Sequence, residues 1–304
     1  MPLIHVNGAE LHYHLQGTGT PIVFVHPPCI GSRVFTNLRN DLSQDNRTLM
    51  FDHRGHGRSG TSRARVTIAL LAEDTKRMLD ALDIGQAYLC AYSLGSLVAL
   101  QAMLTHPDRF VGGVLLGGLS EANGWQTRAR LKIGLAAEKI GARGLISFPL
   151  SWTHADSHEA FYRLRGETRS GDMRKWREYM ESALTFSATS RLKEVRQPML
   201  LVCGQRDTEY KHYLRTLQRG LTNFSTAYVP GVKRTLPVHA AGSIGALIRS
   251  WVGAQEEERE RAHVERRVSR ETRGERGDEE VAGSDPFAGP FGRYREDAEA
   301  PLYH

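Results

Sequence analysis

Apolar strand-like runs alternate with helical segments over the first 253 residues, and this alternation constrains the fold more than any other feature. Runs such as "PIVFVH" and "PMLLVCG" carry almost no polar side chain, as expected for strands buried on both faces of a parallel sheet. Segments with helical spacing, such as "IALLAEDTKRMLDALDI", lie between eight such runs. The sequence therefore predicts an α/β fold with a mostly parallel eight-stranded sheet flanked by helices.

One long stretch interrupts this alternation. Between Gly118 and Arg196 the chain has no strand-like run, and it is helical in pattern, basic and rich in Trp and Phe. We interpret 121–190 as a helical cap inserted between two strands, so that the core consists of 1–120 and 191–253. Six aromatic residues could line an apolar pocket under this cap or simply pack its helices: Trp125, Phe148, Trp152, Phe161, Trp176 and Phe186.

The composition changes sharply after Gly253. Residues 254–304 contain 14 acidic and 9 Arg side chains and few aliphatic ones. Such a segment buries too little apolar surface to offset the entropy of ordering the chain. We expect 254–304 to form a charged tail that is disordered or partly helical, either as a solvated extension or as an interaction segment.

The composition also limits location and partners. No apolar run approaches the length of a membrane-spanning helix, and the first residues lack the pattern of a signal peptide. Three scattered cysteines, Cys29, Cys90 and Cys203, form neither a disulfide framework nor a metal motif. The net charge of +6 comes without a basic stripe interleaved with aromatics. We expect a cytoplasmic protein that binds neither a membrane nor nucleic acid, and the sequence leaves its oligomeric state open.

The stretch "LCAYSLGSLVAL" contains the strongest candidate for chemistry. An apolar strand leads into Ala91-Tyr92-Ser93-Leu94-Gly95, and a helix follows. Small residues two positions before and after the serine allow a turn tight enough to lift its hydroxyl clear of the sheet. The hydroxyl of Ser93 then lies at the positive end of the helix, where the amide of Leu94 can donate to a developing oxyanion. The alternative is an ordinary serine that caps a helix.

Four stretches in this order resemble the α/β-hydrolase fold family, in particular its capped esterases, lactonases and haloperoxidase-like members. They are "VHPPCIGS", "FDHRGHGRSG", "AYSLGS" and "LLVCGQRD", and the resemblance covers about 1–253. It implies a serine hydrolase that requires no metal or organic cofactor. It also implies a structural role for the Asp-x-Arg-Gly-x-Gly-x-Ser loop that begins at Asp52.

The resemblance places the acid of a catalytic triad at Asp207, three residues after the apolar strand that ends at Gly204. Its role would be to orient a histidine and to stabilise the imidazolium. Glu209 is a nearby competitor. Asp207 is favoured because it follows the end of the strand more closely.

The loop after the first core strand departs from the family pattern. His26-Pro27-Pro28-Cys29 stands where the family has His-Gly-x, and proline has no N–H to donate. If the loop is shifted by one residue, Cys29 is the first residue whose amide can complete the oxyanion hole with Leu94. Such a donor contributes about 3 kcal/mol to transition-state stabilisation.

The catalytic base is the main departure. The stretch "PGVKRTLP" reproduces the family frame for the catalytic histidine, but Arg234 occupies the expected position. Arginine stays protonated and cannot accept the proton of Ser93. Three alternatives remain: His239 supplies the base, another histidine such as His26 does so, or the base has been lost.

The sequence therefore predicts a serine hydrolase acting on a small carboxylic ester, lactone or related acyl substrate. Ser93, Asp207 and His239 would form the triad, with the amides of Leu94 and Cys29 as oxyanion donors. The alternative is a catalytically impaired scaffold that binds a small molecule or a protein partner.

Two substitutions distinguish a lost base from a displaced one. If the base is lost, Arg234→His should raise turnover of a simple aryl ester and introduce a loss of activity as the imidazole is protonated, and His239→Ala should have little effect. If His239 is the base, His239→Ala should lower turnover by several orders of magnitude and Arg234→His should change little. Steady-state kinetics of both variants measure the difference.

Overall fold

The computed structural model describes residues 2–233 and 235–281, so Arg234 and the end of the charged tail lie outside the described residues. Eight strands form one sheet in the spatial order β1-β2-β4-β3-β5-β6-β7-β8. The strands are β1 (Leu3–Val6), β2 (Ala9–Gln16), β3 (Thr20–Val25), β4 (Asn46–Phe51), β5 (Ala87–Tyr92), β6 (Phe110–Leu116), β7 (Met199–Gly204) and β8 (Phe224–Val229).

The direction of the strands follows from their connections. Strand β2 pairs antiparallel with both β1 and β4, whereas β4, β3, β5, β6, β7 and β8 pair in parallel. Strands β3, β5 and β7 are almost wholly buried, because helices cover both faces of a parallel sheet. The predicted α/β fold with a mostly parallel eight-stranded sheet is confirmed.

Helices connect the strands and occupy the inserted segment. The α-helices in the described part of the chain are α1 (Thr36–Leu42), α2 (Ile68–Ala81), α3 (Gly95–Thr105), α4 (Trp125–Lys139), α5 (Arg143–Thr153), α6 (His158–Ser170), α7 (Met173–Thr185), α8 (Lys211–Gly220), α9 (Leu236–His239) and α10 (Ala241–Val281). Helices α4 to α7 lie between β6 and β7 in the chain, within the segment interpreted as a cap. None of the described helices combines the length and the apolar composition that crossing a membrane requires.

The chain divides into two units after Gly253. Residues 254–304 were expected to be disordered or partly helical. Their first part, as far as Val281, belongs to helix α10. The rest of the predicted tail, 282–304, lies outside the described residues.

Asp52 organises the loops at the carboxyl end of the sheet. Its carboxylate is fully buried and accepts hydrogen bonds from the amides of Ser32 at 2.7 Å and Arg58 at 3.0 Å. The His12 ring lies 3.0 Å away on the same carboxylate. Burial alone would raise the pKa of Asp52, but these hydrogen bonds outweigh it and hold the pKa below its usual value. A side chain at Gly57 would collide with Asp52, at 2.4 Å, so this loop requires glycine there.

Arg54 ties the same loop to α2. Its guanidinium donates two hydrogen bonds to Asp74, at 2.6 and 2.7 Å, and a third to the carbonyl of Asn7. Both charged side chains are completely buried. Removing one partner of such a pair leaves an uncompensated buried charge and costs about 3–5 kcal/mol. These contacts support the structural role that the resemblance implies for the loop beginning at Asp52.

Three buried histidines lie under helix α7. His53 and His56 contact the Tyr179 ring, with centroids 5.9 and 5.8 Å apart, and His26 lies 4.2 Å from His53. All three rings are fully buried. Burial lowers the pKa of each of them, that of His56 to about 3, so they are neutral in the folded protein near pH 7.

These histidines should make the fold acid-sensitive well above the range in which carboxylates titrate. Below about pH 6.5 these histidines bind protons in the unfolded chain but stay unprotonated in the folded protein. The free energy of unfolding should therefore fall as the pH falls from 6.5 towards 4. Each histidine contributes up to about 1.4 kcal/mol per pH unit. Urea denaturation at pH 7, 6 and 5 measures this slope.

The variant His56→Asn should reduce the dependence of the unfolding free energy on pH, because the variant has one fewer histidine that is protonated only in the unfolded chain. The matched control is His5→Asn, since His5 is exposed. An unchanged pH dependence in His56→Asn, or the same change in His5→Asn, would contradict the conclusion that the buried neutral histidines cause the acid sensitivity.

Candidate active site

Ser93 occupies a strained turn between β5 and α3. Its φ angle is +51°, in the left-handed region that side chains other than glycine rarely adopt. Its amide donates to the carbonyl of Leu116 at the end of the neighbouring strand β6, at 3.0 Å. Strain of this kind costs about 1–3 kcal/mol and is characteristic of functional sites. The structure thus places Ser93 in the strand–turn–helix context that its sequence motif requires.

Two neighbours hold this turn in place. At Gly95 an added Cβ would lie 2.4 Å from the carbonyl oxygen of Val25, so glycine permits the close approach of α3 to β3. The hydroxyl of Ser96 lies 2.5 Å from the carbonyl oxygen of Ser93 and accepts a hydrogen bond from the Leu119 amide at 2.9 Å. These contacts pin the start of α3 to the ends of β3 and β6.

The two predicted oxyanion donors lie in segments that flank this turn. Leu94 directly follows Ser93, and Cys29 follows the two prolines of the loop after β3. That loop begins against Gly95, where an added Cβ would lie 3.1 Å from the carbonyl carbon of His26. Among the hydrogen bonds of the described residues, neither the Leu94 nor the Cys29 amide has an acceptor.

The Cys29 thiol is packed against a helix of the inserted segment. The φ angle of Cys29 is +69°, and its sulfur lies 3.8 Å from the sulfur of Met180 in cap helix α7. The side chain is almost fully buried, and burial raises the pKa of the thiol. The thiol therefore stays protonated and unreactive.

The hydroxyl of Ser93 is hydrogen-bonded to the hydroxyl of Tyr210, with 2.8 Å between Oγ and Oη. Tyr210 lies directly before α8 and is almost fully buried. Burial raises the pKa of its phenol to about 12, although the hydrogen bond to Ser93 opposes the shift. The phenol is therefore neutral at physiological pH.

The side chain of Asp207 contacts the backbone of Tyr210, not the hydroxyl group of Tyr210 or Ser93. Its side chain is almost fully buried, and one carboxylate oxygen accepts a hydrogen bond from the Tyr210 amide at 3.3 Å. The competitor Glu209 instead pairs with Arg130 and Thr127 of cap helix α4. Glu209 therefore joins the core to the cap, which leaves Asp207 as the carboxylate of the site.

The structure does not bring His239 to Ser93. His239 ends the short helix α9, is exposed to solvent, and donates its backbone amide to Thr235. His26 has both ring nitrogens occupied: Nδ1 donates to the Pro27 carbonyl and Nε2 accepts from the His53 amide, each at 2.9 Å. Within 2–233 and 235–281, no imidazole is hydrogen-bonded to Ser93 or Asp207.

The segment just before position 234 passes close to the end of β7. The Val232 carbonyl accepts a hydrogen bond from the Arg206 amide at 3.2 Å. An added Cβ at Gly204 would collide with the carbonyl oxygen of Lys233. The loop of the expected histidine therefore runs beside the loop that carries Asp207.

The aromatic residues of the inserted segment lie in different environments. Trp125, Phe148 and Trp152 are exposed, by 77%, 48% and 67%. Trp176 is completely buried and packs against His56, 6.2 Å between ring centroids. The prediction treated all six aromatics alike because helical spacing does not show which face of a cap helix meets the core.

A shallow cleft, open to solvent, lies between cap helix α6 and the core. Its polar lining includes Arg33, Arg163 and His154. The Nε2 atom of His154 lies 3.1 Å from the hydroxyl of Tyr92, the residue that precedes Ser93. The cleft thus adjoins the strand end that carries the serine. No group of His, Cys, Asp or Glu side chains suited to a metal ion occurs among the described residues.

Tyr210 is the residue in contact with Ser93 that the sequence analysis missed. It stands three positions after Asp207 in "QRDTEY", on a loop already assigned to the site. A tyrosine there carries no local pattern that distinguishes it from a packed aromatic residue. Only the distance to Ser93 identifies its role.

Comparison with known proteins places the chain among proteins of one fold. Residues 20–223 match the family model described as the alpha/beta hydrolase fold. The chain is 25% identical over 225 residues to a candidate carbamate hydrolase, RutD, of Azorhizobium caulinodans, a match that covers 71% of this chain and 84% of that protein. It is 26% identical over 162 residues to 3-oxoadipate enol-lactonase 2 of Acinetobacter baylyi, covering 52% and 61%.

Solved structures show the same fold at lower identity. A thermophilic esterase from Thermogutta terrifontis superposes with a TM-score of 0.74 at 18% identity, over 84% of this chain and 99% of that one. The enol-lactonase from Burkholderia xenovorans LB400 superposes with a TM-score of 0.72 at 19% identity, over 83% and 100%. The likeness to these structures concerns the fold alone.

A glycine substitution tests the contact that supports the elbow. Gly95→Ala should lower the free energy of unfolding by about 1–3 kcal/mol, because the added methyl group meets a backbone carbonyl that cannot move away easily. The matched control is Gly166→Ala in α6, where an added Cβ meets nothing within 4 Å. It should raise stability by about 0.4–1 kcal/mol. Urea denaturation measures both; equal effects would contradict the proposed contact.

Proposed function

The chain belongs to the α/β-hydrolase fold family, and from that premise we propose that it hydrolyses a small carboxylic ester, lactone or related acyl compound by attack of Ser93. The observation that carries this proposal is the turn at Ser93, with φ of +51° between a buried strand and the start of a helix. Such a turn presents a serine hydroxyl to an acyl carbon.

The amides of Leu94 and Cys29 support the same chemistry. Attack on an acyl carbon places negative charge on its oxygen, and two preorganised amides stabilise that charge. Removing one donor of this kind costs about 2.7–4 kcal/mol in comparable enzymes. Leu94 also lies at the positive end of α3, which favours an anion.

The substrate class follows from what the named relatives share. A carbamate, an enol-lactone and a simple ester all contain an acyl carbon bonded to an oxygen or nitrogen leaving atom. The fold and the elbow suit attack on this carbon, whereas the rest of the substrate depends on the cap. We therefore assign the reaction class, acyl transfer to water through Ser93.

A second function is favoured by one specific observation. Ser93 is hydrogen-bonded to a neutral phenol rather than to an imidazole. Loss of a triad histidine leaves only about 10³–10⁴-fold catalysis over water, from the oxyanion hole and substrate binding. A protein that binds a small molecule or a partner on a hydrolase scaffold is the competing candidate.

Covalent labelling distinguishes the two functions. A fluorophosphonate probe should modify Ser93, as read by mass spectrometry of the peptide, and Ser93→Ala should abolish labelling and reduce aryl-ester turnover to background. The matched control is Ser225→Ala, because Ser225 is exposed on β8; it should leave both unchanged. If the folded protein remains unlabelled and Ser93→Ala does not change turnover, the hydrolase proposal is wrong and the binding scaffold is favoured.

A further inference from the structure

The Ser93–Tyr210 contact is built into the fold and does not depend on a flexible side chain. The Tyr210 amide is held by Asp207, its ring packs 5.3 Å from the Tyr213 ring, and only 3% of the residue is exposed. Tyr213 in turn accepts a hydrogen bond from the Gly124 amide, just before α4, at 2.8 Å. The phenol oxygen is therefore preorganised at the serine oxygen.

A buried neutral phenol has a limited but useful chemistry. It carries one donor and can accept at the same oxygen, so it can take one proton while it gives up another. It cannot hold a proton as imidazole does, because the cationic phenol is inaccessible, and burial makes the phenolate costly as well. The chemistry open to Tyr210 is therefore transfer of a proton through the hydroxyl.

We propose that Tyr210 is a catalytic residue that relays the Ser93 proton to the leaving group, in place of a histidine base. This inference rests on the proposed hydrolysis through Ser93. It is carried by the 2.8 Å contact between the two hydroxyls and by the absence, within the described residues, of an imidazole bonded to either Ser93 or Asp207.

The acylation step balances without any further reactant. Ser93 Oγ bonds to the acyl carbon as its proton passes to Tyr210 Oη, and the original phenol proton passes to the leaving oxygen or nitrogen as the bond from that atom to the acyl carbon breaks. Tyr210 is neutral before and after. Deacylation is the reverse with water: the water oxygen bonds to the acyl carbon as the bond from that carbon to Ser93 Oγ breaks, one proton of the water passes to Tyr210, and the phenol proton passes to Ser93 Oγ.

Asp207 acquires a different role in this scheme. It holds the backbone of Tyr210 rather than the ring of a histidine, so it is a positioning residue. The loop of Asp207 and Tyr210 follows β7, and the turn of Ser93 follows β5. Both therefore lie at the carboxyl edge of one parallel sheet, where ligands bind in such folds.

The leaving group distinguishes a relay from a structural role. Alkyl esters need a proton on the departing oxygen, whereas a 4-nitrophenyl ester does not. Deacylation uses Tyr210 for both esters, so the comparison is made in kcat/KM, which reports acylation. Tyr210→Phe should lower kcat/KM for an alkyl ester about 10²–10⁴-fold, the usual contribution of general acid–base catalysis, and lower kcat/KM for the 4-nitrophenyl ester less, because that substrate loses only the removal of the Ser93 proton. Tyr228→Phe, at an exposed tyrosine of β8, is the matched control and should leave the ratio of the two kcat/KM values unchanged.

The pH profile of the unmodified protein provides a test that does not depend on a variant folding. A neutral phenol relay predicts that kcat/KM is flat from about pH 6 to 9, because no group of the relay titrates there. An imidazole base predicts a fall below about pH 6.5. A fall of kcat/KM below about pH 6.5 would contradict the proposal that Tyr210 relays the proton.

The outcomes separate this inference from the function on which it rests. If Ser93 is labelled and required but Tyr210→Phe lowers kcat/KM of both esters equally, or of neither, the relay is wrong and the serine hydrolase remains. If Ser93 is neither labelled nor required for turnover, the relay through Tyr210 and the hydrolysis through Ser93 are both wrong.

Discussion

The left-handed backbone at Ser93 is the constraint on which the rest of the site depends. It exists because the ends of three strands converge there: the turn follows β5, the Ser93 amide is bonded to the end of β6, and Gly95 lies against the end of β3. The helix that follows can begin only where these contacts allow. The serine hydroxyl and the Leu94 amide are consequently presented together, since both belong to the same turn.

The segment from Asp207 to Tyr210 divides three tasks among neighbouring residues. Asp207 holds the Tyr210 backbone, Glu209 pairs with Arg130 of the cap, and Tyr210 contacts the serine. Helix α4 and Ser93 are thus both contacted by residues of one short loop.

Prediction from sequence worked where a local pattern has one physical cause. Buried strands, intervening helices and the small-x-Ser-x-Gly turn are each recognisable within a few residues, and the eight-stranded α/β fold is confirmed. It worked less well for the cap, where Trp125 and Trp152 are exposed and Trp176 is buried, because helical spacing alone does not say which face meets the core. The structure also leaves His239 exposed at the end of α9, since that helix turns its last residue towards solvent.

The sequence by itself determined the fold class and the position of the turn at Ser93, because each depends on contiguous residues. Only the tertiary structure decided what Ser93 contacts. Ser93 and Tyr210 are 117 residues apart, and nothing in either local pattern refers to the other. They meet because β5 and β7 run in the same direction, with β6 between them, so the loops that follow both strands emerge at the same edge of the sheet.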